Sequence, residues 1–464
     1  MVFSSLEFVF IFIPIFFLIY YITPAKFRNW ILFFGSLSFY AVGAIKQPQY
    51  MILFMVSLIV DWACGVLMER YPKYKKGILV FGILYHLGWL FYYKYAGFVF
   101  KELGRVIPGL SVNLSPLLPI GISFYTFQGI SYIIDVYRGT VKADHSLLRV
   151  GTYISMFEQL IAGPIVTYSD VQKEMSHRSI RCKEVLKGMG VFVIGLGLKV
   201  LLANQVGGLW TDMATIGYES ISTPLAWMGI IAFTFQIYFD FFGYSLMAVG
   251  LGKMMGFAIP KNFDHPYTSL TMTEFWRRWH ITLGSWFREY VYISVGGNRK
   301  GTWKTIRNLL LVWALTGIWH GAGYNFLLWG LSIFVLIILE KYLIGNFLNK
   351  HPFVGHVYMI VLIPLSWLLF VVEDMQQLAV YFTRLFPFFG ESMWGLEELD
   401  YLRHLGMYWP FLLAGVVFSM KWPYRLLQRI KSKVLICFIL LVIFGASVYC
   451  MYKGFNDPFL YFRF

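Results

Sequence analysis

Charged residues are scarce in this chain of 464 residues. Asp, Glu, Lys and Arg together make up 14% of the sequence, whereas hydrophobic residues make up 58% and the mean hydropathy is +0.63. Soluble globular domains carry about 25% charged residues. The shortage of charge therefore excludes a soluble globular domain and predicts an integral membrane protein.

Cysteine is also rare, and its spacing matches no known pattern of metal binding or disulfide pairing. Cys64, Cys182, Cys437 and Cys450 form no CxxC pair and no Cys/His cluster. Structural zinc sites and disulfide frameworks need such spacing, so we expect neither a metal nor a disulfide framework. Repeats at a solenoid period and inverted pairs of broken helices, which are typical of many transporters, are missing as well.

Long apolar runs dominate the rest of the sequence. A helix needs about 20 residues to cross a hydrocarbon core of ~30 Å. The sequence predicts an all-α polytopic integral membrane protein with about 12 spanning helices, near 6–23, 30–45, 50–69, 77–93, 114–135, 188–205, 225–252, 307–320, 324–340, 354–372, 404–420 and 434–452. The first run lacks a cleavage site, so we expect it to be retained. Segments 147–168 and 265–295 are predicted to be re-entrant or interfacial helices.

The basic excess follows the predicted topology. With the N-terminus outside, the loops on the cytoplasmic side contain 30 of the 39 Lys and Arg residues, in agreement with the positive-inside rule. Acidic residues gather in two outward loops, 206–224 and 373–403. Membrane topology thus explains the charge, and we expect no nucleic-acid binding. Both termini are predicted to be extracytoplasmic.

Ionisable side chains inside apolar segments are functional candidates, because each costs at least a few kcal/mol to insert. They are Asp61, His86, Asp135, Glu158, Lys199 and Asp240. Mutual pairing is the structural alternative. The segment 234–245 is the richest, since Tyr238 and Asp240 lie in it and Gln236 shares a helix face with Asp240. A substrate-lined interior and a hydrogen-bond network between helices both explain this segment.

The stretch TEFWRRWHITLGSWFREYVYISVGGNR, residues 273–299, is too polar to span a bilayer and too aromatic for an ordinary loop. Taken as one helix, it has an aromatic face that includes Trp279, with Arg277, Arg278 and Arg288 pointing elsewhere. We therefore predict a cytoplasmic interfacial helix that contains His280. The turn 296–301 adds Arg299 and Lys300, whose charges suit phosphate groups.

A second histidine, His320, lies in LVWALTGIWHGAGYNFLLWG, residues 311–330. Apolar surroundings favour the neutral imidazole, which can accept a proton. A general base is one interpretation of this residue. A buried histidine that is merely held by a hydrogen bond is the other.

Taken together, the motifs resemble the membrane-bound O-acyltransferase (MBOAT) superfamily, and within it the bacterial branch of alginate O-acetyltransferase membrane subunits. The resemblance is carried by FWRRWHITLGSWFREYVYISVGGNRKG (275–301), GIWHGAGYNFLLWG (317–330), PIGISFYTFQGISYIIDVYRG (119–139), QLIAGPIVTY (159–168), NFDHPY (262–267) and both chain ends. It covers nearly the whole chain. Glu158 departs from the pattern, because family members often have proline there.

The resemblance implies one acyltransferase domain over 1–464, with peripheral spans at about 1–110, a catalytic core at about 114–345, C-terminal spans at about 354–452 and an extracytoplasmic tail at 453–464. It implies that His320 is catalytic and that His280 assists. The candidate donor- or substrate-binding residues are Arg277, Arg278, Trp279, Arg299, Lys300, Asn325, Tyr238 and Asp240.

The activity implied by the resemblance is O-acetylation of an extracellular polysaccharide, such as alginate or peptidoglycan. Acetyl-CoA would be the cytoplasmic donor, no cofactor would stay bound, and an extracytoplasmic SGNH-like transferase would be the partner at the bacterial cell membrane. In the tail, the hydroxyl of Tyr461 is a candidate acyl carrier; an interfacial aromatic anchor is the alternative. D-alanyl transfer or another acyl transfer also stays open. So does a transporter or flippase that uses Asp61, Asp135 and Asp240 as ion sites.

Overall fold

The computed structural model describes residues 2–107, 114, 116–161, 163–389, 395–397 and 399–454. In this part of the chain every regular element is helical. The chain forms two compact units, Met1–Phe192 with Tyr244–Lys261, and Val193–Gly243 with Asn262–Phe464. The tail with Tyr461 lies outside the described residues.

The first unit begins with nine helices. They are Ile13–Ile22 (α1), Arg28–Gly43 (α2), Gln49–Arg70 (α3), Lys75–Leu90 (α4), Ala96–Val106 (α5), Ile122–Arg138 (α6), Leu147–Ser155 (α7), Phe157–Leu160 (α8) and Tyr168–Ser176 (α9). Predicted span 114–135 becomes helical only at Ile122, because Pro119 and the left-handed Gly121 (φ 71°) precede it.

Three helices follow, and the first and third of them contribute residues to both units. They are Cys182–Gly197 (α10), Asn204–Ile216 (α11) and Thr223–Met255 (α12). The second unit continues with Met272–Arg278 (α13), Ile281–Trp286 (α14), Thr302–His320 (α15), Tyr324–Leu339 (α16), Gly345–Lys350 (α17), Pro352–Val371 (α18), Met375–Leu385 (α19), Asp400–Ser419 (α20), Trp422–Arg429 (α21) and Lys433–Tyr452 (α22).

Several helices continue through short π-helical or 3₁₀ turns. The π-helical turns are Phe8–Phe12, Phe91–Tyr95, Leu198–Ala203, Phe287–Tyr292 and Glu340–Ile344, and the 3₁₀ turns are Ala25–Phe27, Pro72–Tyr74, Tyr218–Ser220, Pro266–Thr268 and Pro387–Phe389. A π-helical turn adds a residue to the helical repeat and is frequent near functional sites. Two of these π turns, Phe287–Tyr292 and Glu340–Ile344, follow helices that line the cavity described below.

Six helical stretches in the described chain are long and apolar enough to cross a membrane. They are Gln49–Arg70, Cys182–Ile216, Thr223–Met255, Tyr324–Lys350, Pro352–Val371 and Lys433–Tyr452. Each of the twelve apolar segments predicted from the sequence overlaps a helix. The protein is thus a multi-pass helical membrane protein, and the count of twelve spans stays a prediction.

Pairing accounts for several of the buried ionisable residues. Within the first unit His86 Nε2 lies 2.7 Å from Asp61 Oδ1, and within the second unit Lys199 Nζ lies 2.6 Å from Asp240 Oδ1. Glu158 is different, because neither of its buried carboxylate oxygens has a hydrogen-bond partner among the described residues. Lying between spans, Glu158 has its pKa raised to about 8 by burial.

Candidate functional site

His320 is the last residue of α15, where the chain turns into α16. Glycines hold these two helices close together: a Cβ at Gly317 would lie 2.4 Å from the Phe326 carbonyl oxygen, and one at Gly330 would lie 2.4 Å from that of Trp313. Small residues at a contact let helix backbones approach in this way. The close packing places the imidazole of His320 among aromatic rings, with the centroid of Trp329 at 5.1 Å.

His280 lies at a break between helices, so the prediction of one continuous interfacial helix is wrong. Helix α13 ends at Arg278, and His280 adopts a left-handed conformation (φ 44°, ψ 54°) before α14 begins. A residue with a side chain rarely adopts this conformation unless its surroundings hold it there. Asn262 provides the hold, because its carbonyl oxygen accepts from the N–H of Ile281 at 2.9 Å.

The same asparagine fixes the tautomer of His280. Asn262 Oδ1 accepts from the backbone N–H of Thr282 at 3.2 Å and from its hydroxyl at 2.9 Å. Because a backbone N–H can only donate, the atom facing it must be the amide oxygen. His280 Nδ1, 3.1 Å from that oxygen, therefore carries the proton, and Nε2 carries the lone pair of the neutral ring.

Burial keeps His280 neutral. The side chain is 3% exposed and lies outside the spanning helices, and burial lowers its pKa to about 3. The ring of Phe241 packs edge-on against it, with the centroids 4.7 Å apart. At neutral pH this histidine is an uncharged hydrogen-bonding group.

A cavity of about 740 Å³ contains both histidines in its wall. Volumes of 300–1,000 Å³ are typical of small-molecule sites. Three exposed cations, Arg277, Arg288 and Lys341, also line it, which means that the cavity extends from the protein surface to the two imidazoles. Two carboxylates line it as well, Glu340 and Glu274, and the latter is paired with Arg278. The mouth therefore keeps an excess of positive charge and leads to an aromatic interior at the two histidines.

A second, much smaller cavity of about 20 Å³ adjoins the first. Its lining consists of Ile237, Asp240, Phe241, Trp276, Trp279, His280, His320, Trp329, Trp367 and Phe370. Trp276, Trp279, His280 and His320 belong to both cavities. We call this small cavity the aromatic cup. The two histidines thus lie where the large cavity meets the aromatic cup.

Glu340 anchors the cavity wall. Its buried carboxylate accepts from the backbone N–H of Met272 and, at 2.8 Å, from that of Thr273, and it accepts from the hydroxyl of Tyr358 at 3.1 Å. It therefore holds the first turn of α13, the helix that leads to His280, and it also lines the large cavity. Sequence reasoning missed this residue; its only signal was an acidic side chain at the end of an apolar run.

The other predicted binding residues divide into two groups. Arg277 and Trp279 line the large cavity, and Asp240 and Trp279 line the aromatic cup. The remaining five candidates are not among the described residues that line either cavity. They are Arg278, Arg299, Lys300, Asn325 and Tyr238.

Those remaining candidates have other contacts. Arg278 lies 2.6 Å from the Glu274 carboxylate, and Arg299 and Lys300 are exposed in their turn. Asn325 Nδ2 donates to the Phe370 carbonyl oxygen at 3.1 Å. Tyr238 is fully buried in ring contacts. Asn325 Oδ1 and the Tyr238 hydroxyl are buried without a hydrogen-bond partner among the described residues, so a binding role for these two residues stays a prediction.

Comparison with known proteins identifies the family. The family model for MBOAT, the membrane-bound O-acyltransferase family, matches residues 140–372, which include both histidines. The probable alginate O-acetylase AlgI of Pseudomonas aeruginosa is 38% identical over 88% of this chain and 78% of its own length.

Two further relatives are named for transfer to peptidoglycan and to teichoic acid. The peptidoglycan O-acetyltransferase of Helicobacter pylori is 33% identical over 71% of this chain and 68% of its own length. The teichoic acid D-alanyltransferase of Bacillus subtilis is 30% identical over 47% of this chain and 58% of its own length. Because the family model and the long alignments agree, the chain belongs to the membrane-bound O-acyltransferase family, in its alginate O-acetylase-like branch, and is an O-acyltransferase.

Proposed function

We propose that this enzyme takes an acetyl group from cytoplasmic acetyl-CoA and delivers it to the hydroxyl groups of an extracellular polysaccharide. One observation carries the proposal: both histidines line a cavity whose mouth is basic. Arg277, Arg288 and Lys341 suit the phosphates of CoA, since charge-assisted hydrogen bonds from Arg and Lys to phosphate are strong. The pantetheine arm then lies along the cavity, with the thioester at the histidines.

His320 acts as the general base. Its imidazole accepts the proton of the attacking hydroxyl while the oxygen forms a bond to the thioester carbon. The C–S bond then breaks, and the proton passes to the departing thiolate, which leaves as CoA. General-base assistance of this kind contributes typically about 10²–10⁴-fold to the rate.

His280 plays an uncharged part in the same reaction. With Nδ1 donating to Asn262, its Nε2 is an acceptor, which suits holding the attacking hydroxyl or the donor amide in place. A neutral ring at this position also avoids placing a positive charge beside His320. His280 is therefore proposed as a positioning residue, not as a second base.

Acetyl transfer is favoured over D-alanyl transfer by the extent of the similarity. The relatives named for O-acetylation align over 71% and 88% of this chain, whereas the D-alanyltransferase aligns over 47%. An extracytoplasmic SGNH-like transferase is the proposed partner that places the acetyl group on the polymer, with both termini of the chain on that side of the membrane.

Tyr461 remains the proposed carrier between the two sides. Its phenolic oxygen would form an ester with the acetyl group at His320, and the acetyl group would then pass to a polymer hydroxyl and restore the phenol. Tyr461→Phe keeps the ring and removes the nucleophile. Loss of polymer acetylation in this variant supports the carrier role, and normal acetylation supports an aromatic anchor.

The test of the proposed function is the acetyl content of the cell's polysaccharides. Deletion of the chain is expected to remove acetyl esters from one polymer, and the wild-type chain restores them, whereas His320→Ala does not. The matched control is His356→Ala, an exposed histidine on α18 outside both cavities. Restoration by His320→Ala, at equal protein level, would contradict the proposal.

A further inference from the structure

The aromatic cup lies beside both histidines but has no role in the mechanism above. Its volume is about 20 Å³, little more than the 10–15 Å³ that one water molecule requires on this scale. Apart from Asp240, whose charge is balanced by Lys199 at 2.6 Å, its wall is apolar or aromatic. The cup is thus a small, mostly apolar space.

The wall of the cup has little freedom to expand. Trp329 is 0% exposed, and Trp367 and Phe370 are each 2% exposed. Their rings pack on one another, with Trp329 and Phe370 centroids 5.2 Å apart and Trp367 and Phe370 centroids 5.5 Å apart. Interiors packed in this way resist extra atoms, and each forced insertion costs typically about 1–3 kcal/mol.

Several polar atoms of the wall lack a hydrogen-bond partner among the described residues. They include the buried indole N–H groups of Trp276 and Trp329. An unsatisfied buried donor costs about 1–3 kcal/mol. A ligand with a carbonyl oxygen would satisfy such a donor, and the acyl group of a thioester carries one.

From these observations we propose that the aromatic cup binds the acyl group of the donor and restricts it to the size of acetyl. The inference rests on the proposed function, since it assumes a thioester held at His320. The methyl group fills the cup, so an additional methylene would collide with the rings of Trp367 and Phe370. In binding pockets one methylene changes the specificity by roughly 10–200-fold.

Ile237 is the residue through which this proposal is best tested. It lines the cup from α12, and it takes no part in the contacts described above for His280 and His320. Ile237→Val and Ile237→Ala shorten the wall in two steps while the histidines and tryptophans stay in place. The matched control is Ile230→Ala, because Ile230 is fully buried on the same helix, two turns earlier, and lies outside both cavities.

The experiment measures hydrolysis of acetyl-, propionyl- and butyryl-CoA by the purified full-length protein in detergent, with water as the acyl acceptor and the released thiol as the signal. Wild type is expected to use butyryl-CoA at least about 100-fold less well than acetyl-CoA. The butyryl-to-acetyl ratio of kcat/KM should rise stepwise in Ile237→Val and Ile237→Ala, by about tenfold or more in the latter. It should stay at the wild-type value in Ile230→Ala.

The outcomes separate the cup from the proposed function. Equal use of acetyl- and butyryl-CoA by wild type would contradict the proposed role of the cup. It would not contradict the proposed cleavage of the thioester. An unchanged ratio in both Ile237 variants, with a monodisperse elution profile that matches wild type, would contradict the proposed role of the cup as well. If wild type cleaves none of the three thioesters, the donor assignment itself fails, and the cup with it.

Discussion

The ion pair between Lys199 and Asp240 is expected to behave as a unit, so that losing one member is worse than losing both. The two side chains are 0% and 4% exposed, and Nζ and Oδ1 are 2.6 Å apart. At an effective dielectric constant of about 20 their attraction is roughly 6 kcal/mol, which is similar to the cost of removing two ions from water. The intact pair therefore contributes little net stability.

Single substitutions leave a buried charge without its counter-charge. Asp240→Asn and Lys199→Met should each destabilise the protein by about 3–5 kcal/mol, whereas the double variant should lose less than either single variant. The coupling free energy in this double-mutant cycle should then be about 3 kcal/mol or more, well above the 0.3–0.5 kcal/mol of roughly additive sites.

The assay is unfolding of the four purified proteins in one detergent, followed by intrinsic fluorescence. Thioester cleavage is measured on the same samples, because Asp240 also lines the aromatic cup. If the double variant regains stability and activity together, the pair is structural. Additive losses of stability in the two single variants would refute the reasoning, since they would mean that the two charges do not depend on each other.

Three further predictions concern single carboxyl or imidazole groups. The pKa of His280 is lowered to about 3, so the fold should lose stability as pH falls below 6.5; between pH 7.5 and 5 wild type should lose about 2 kcal/mol more than His280→Gln in thermal unfolding. The pKa of Glu158 is raised to about 8, so this carboxyl group destabilises the folded state increasingly as pH rises from 4.5. Glu158→Gln should therefore melt at a higher temperature than wild type at pH 8, and this gain should vanish by pH 5. Glu340→Gln weakens the hold on α13 and should raise the KM for acetyl-CoA while lowering stability by about 1–3 kcal/mol; an unchanged KM would contradict its role in the cavity wall.

The class of the fold and the location of the site could be predicted from the sequence because each depends on a local pattern. Apolar runs of about 20 residues identify membrane helices directly. His320 lies at the end of such a run beside glycines, and those glycines are where α15 and α16 pack closely. A local pattern and a local contact agree in this case, whereas the catalytic role of His320 stays a prediction.

The geometry around His280 could not be predicted, because a distant residue determines it. The spacing of Trp276 and Trp279 fits a continuous helix, yet the chain breaks at His280. The break is held by Asn262, eighteen positions earlier, whose backbone and side chain both bond to residues 280–282. Helical periodicity describes only the local preference, which a tertiary contact overrides here.

Charge alone did not predict which arginines line the large cavity, for a similar reason. Arg277, Arg278 and Arg299 have the same side chain and the same charge. Of these three, only Arg277 lines the large cavity. Arg278 lies against Glu274 one turn earlier, and Arg299 is exposed in its turn. Which arginine faces the cavity depends on the path of the backbone after α13, and the sequence does not specify that path.

The most direct test of the central claim is the release of CoA thiol from acetyl-CoA by purified protein. Wild type and the exposed-histidine control His356→Ala are expected to release thiol at the same rate, and His320→Ala at a rate at least about 100-fold lower with an unchanged unfolding temperature. Thiol release by folded His320→Ala at the wild-type rate would contradict the assignment of His320 as the general base.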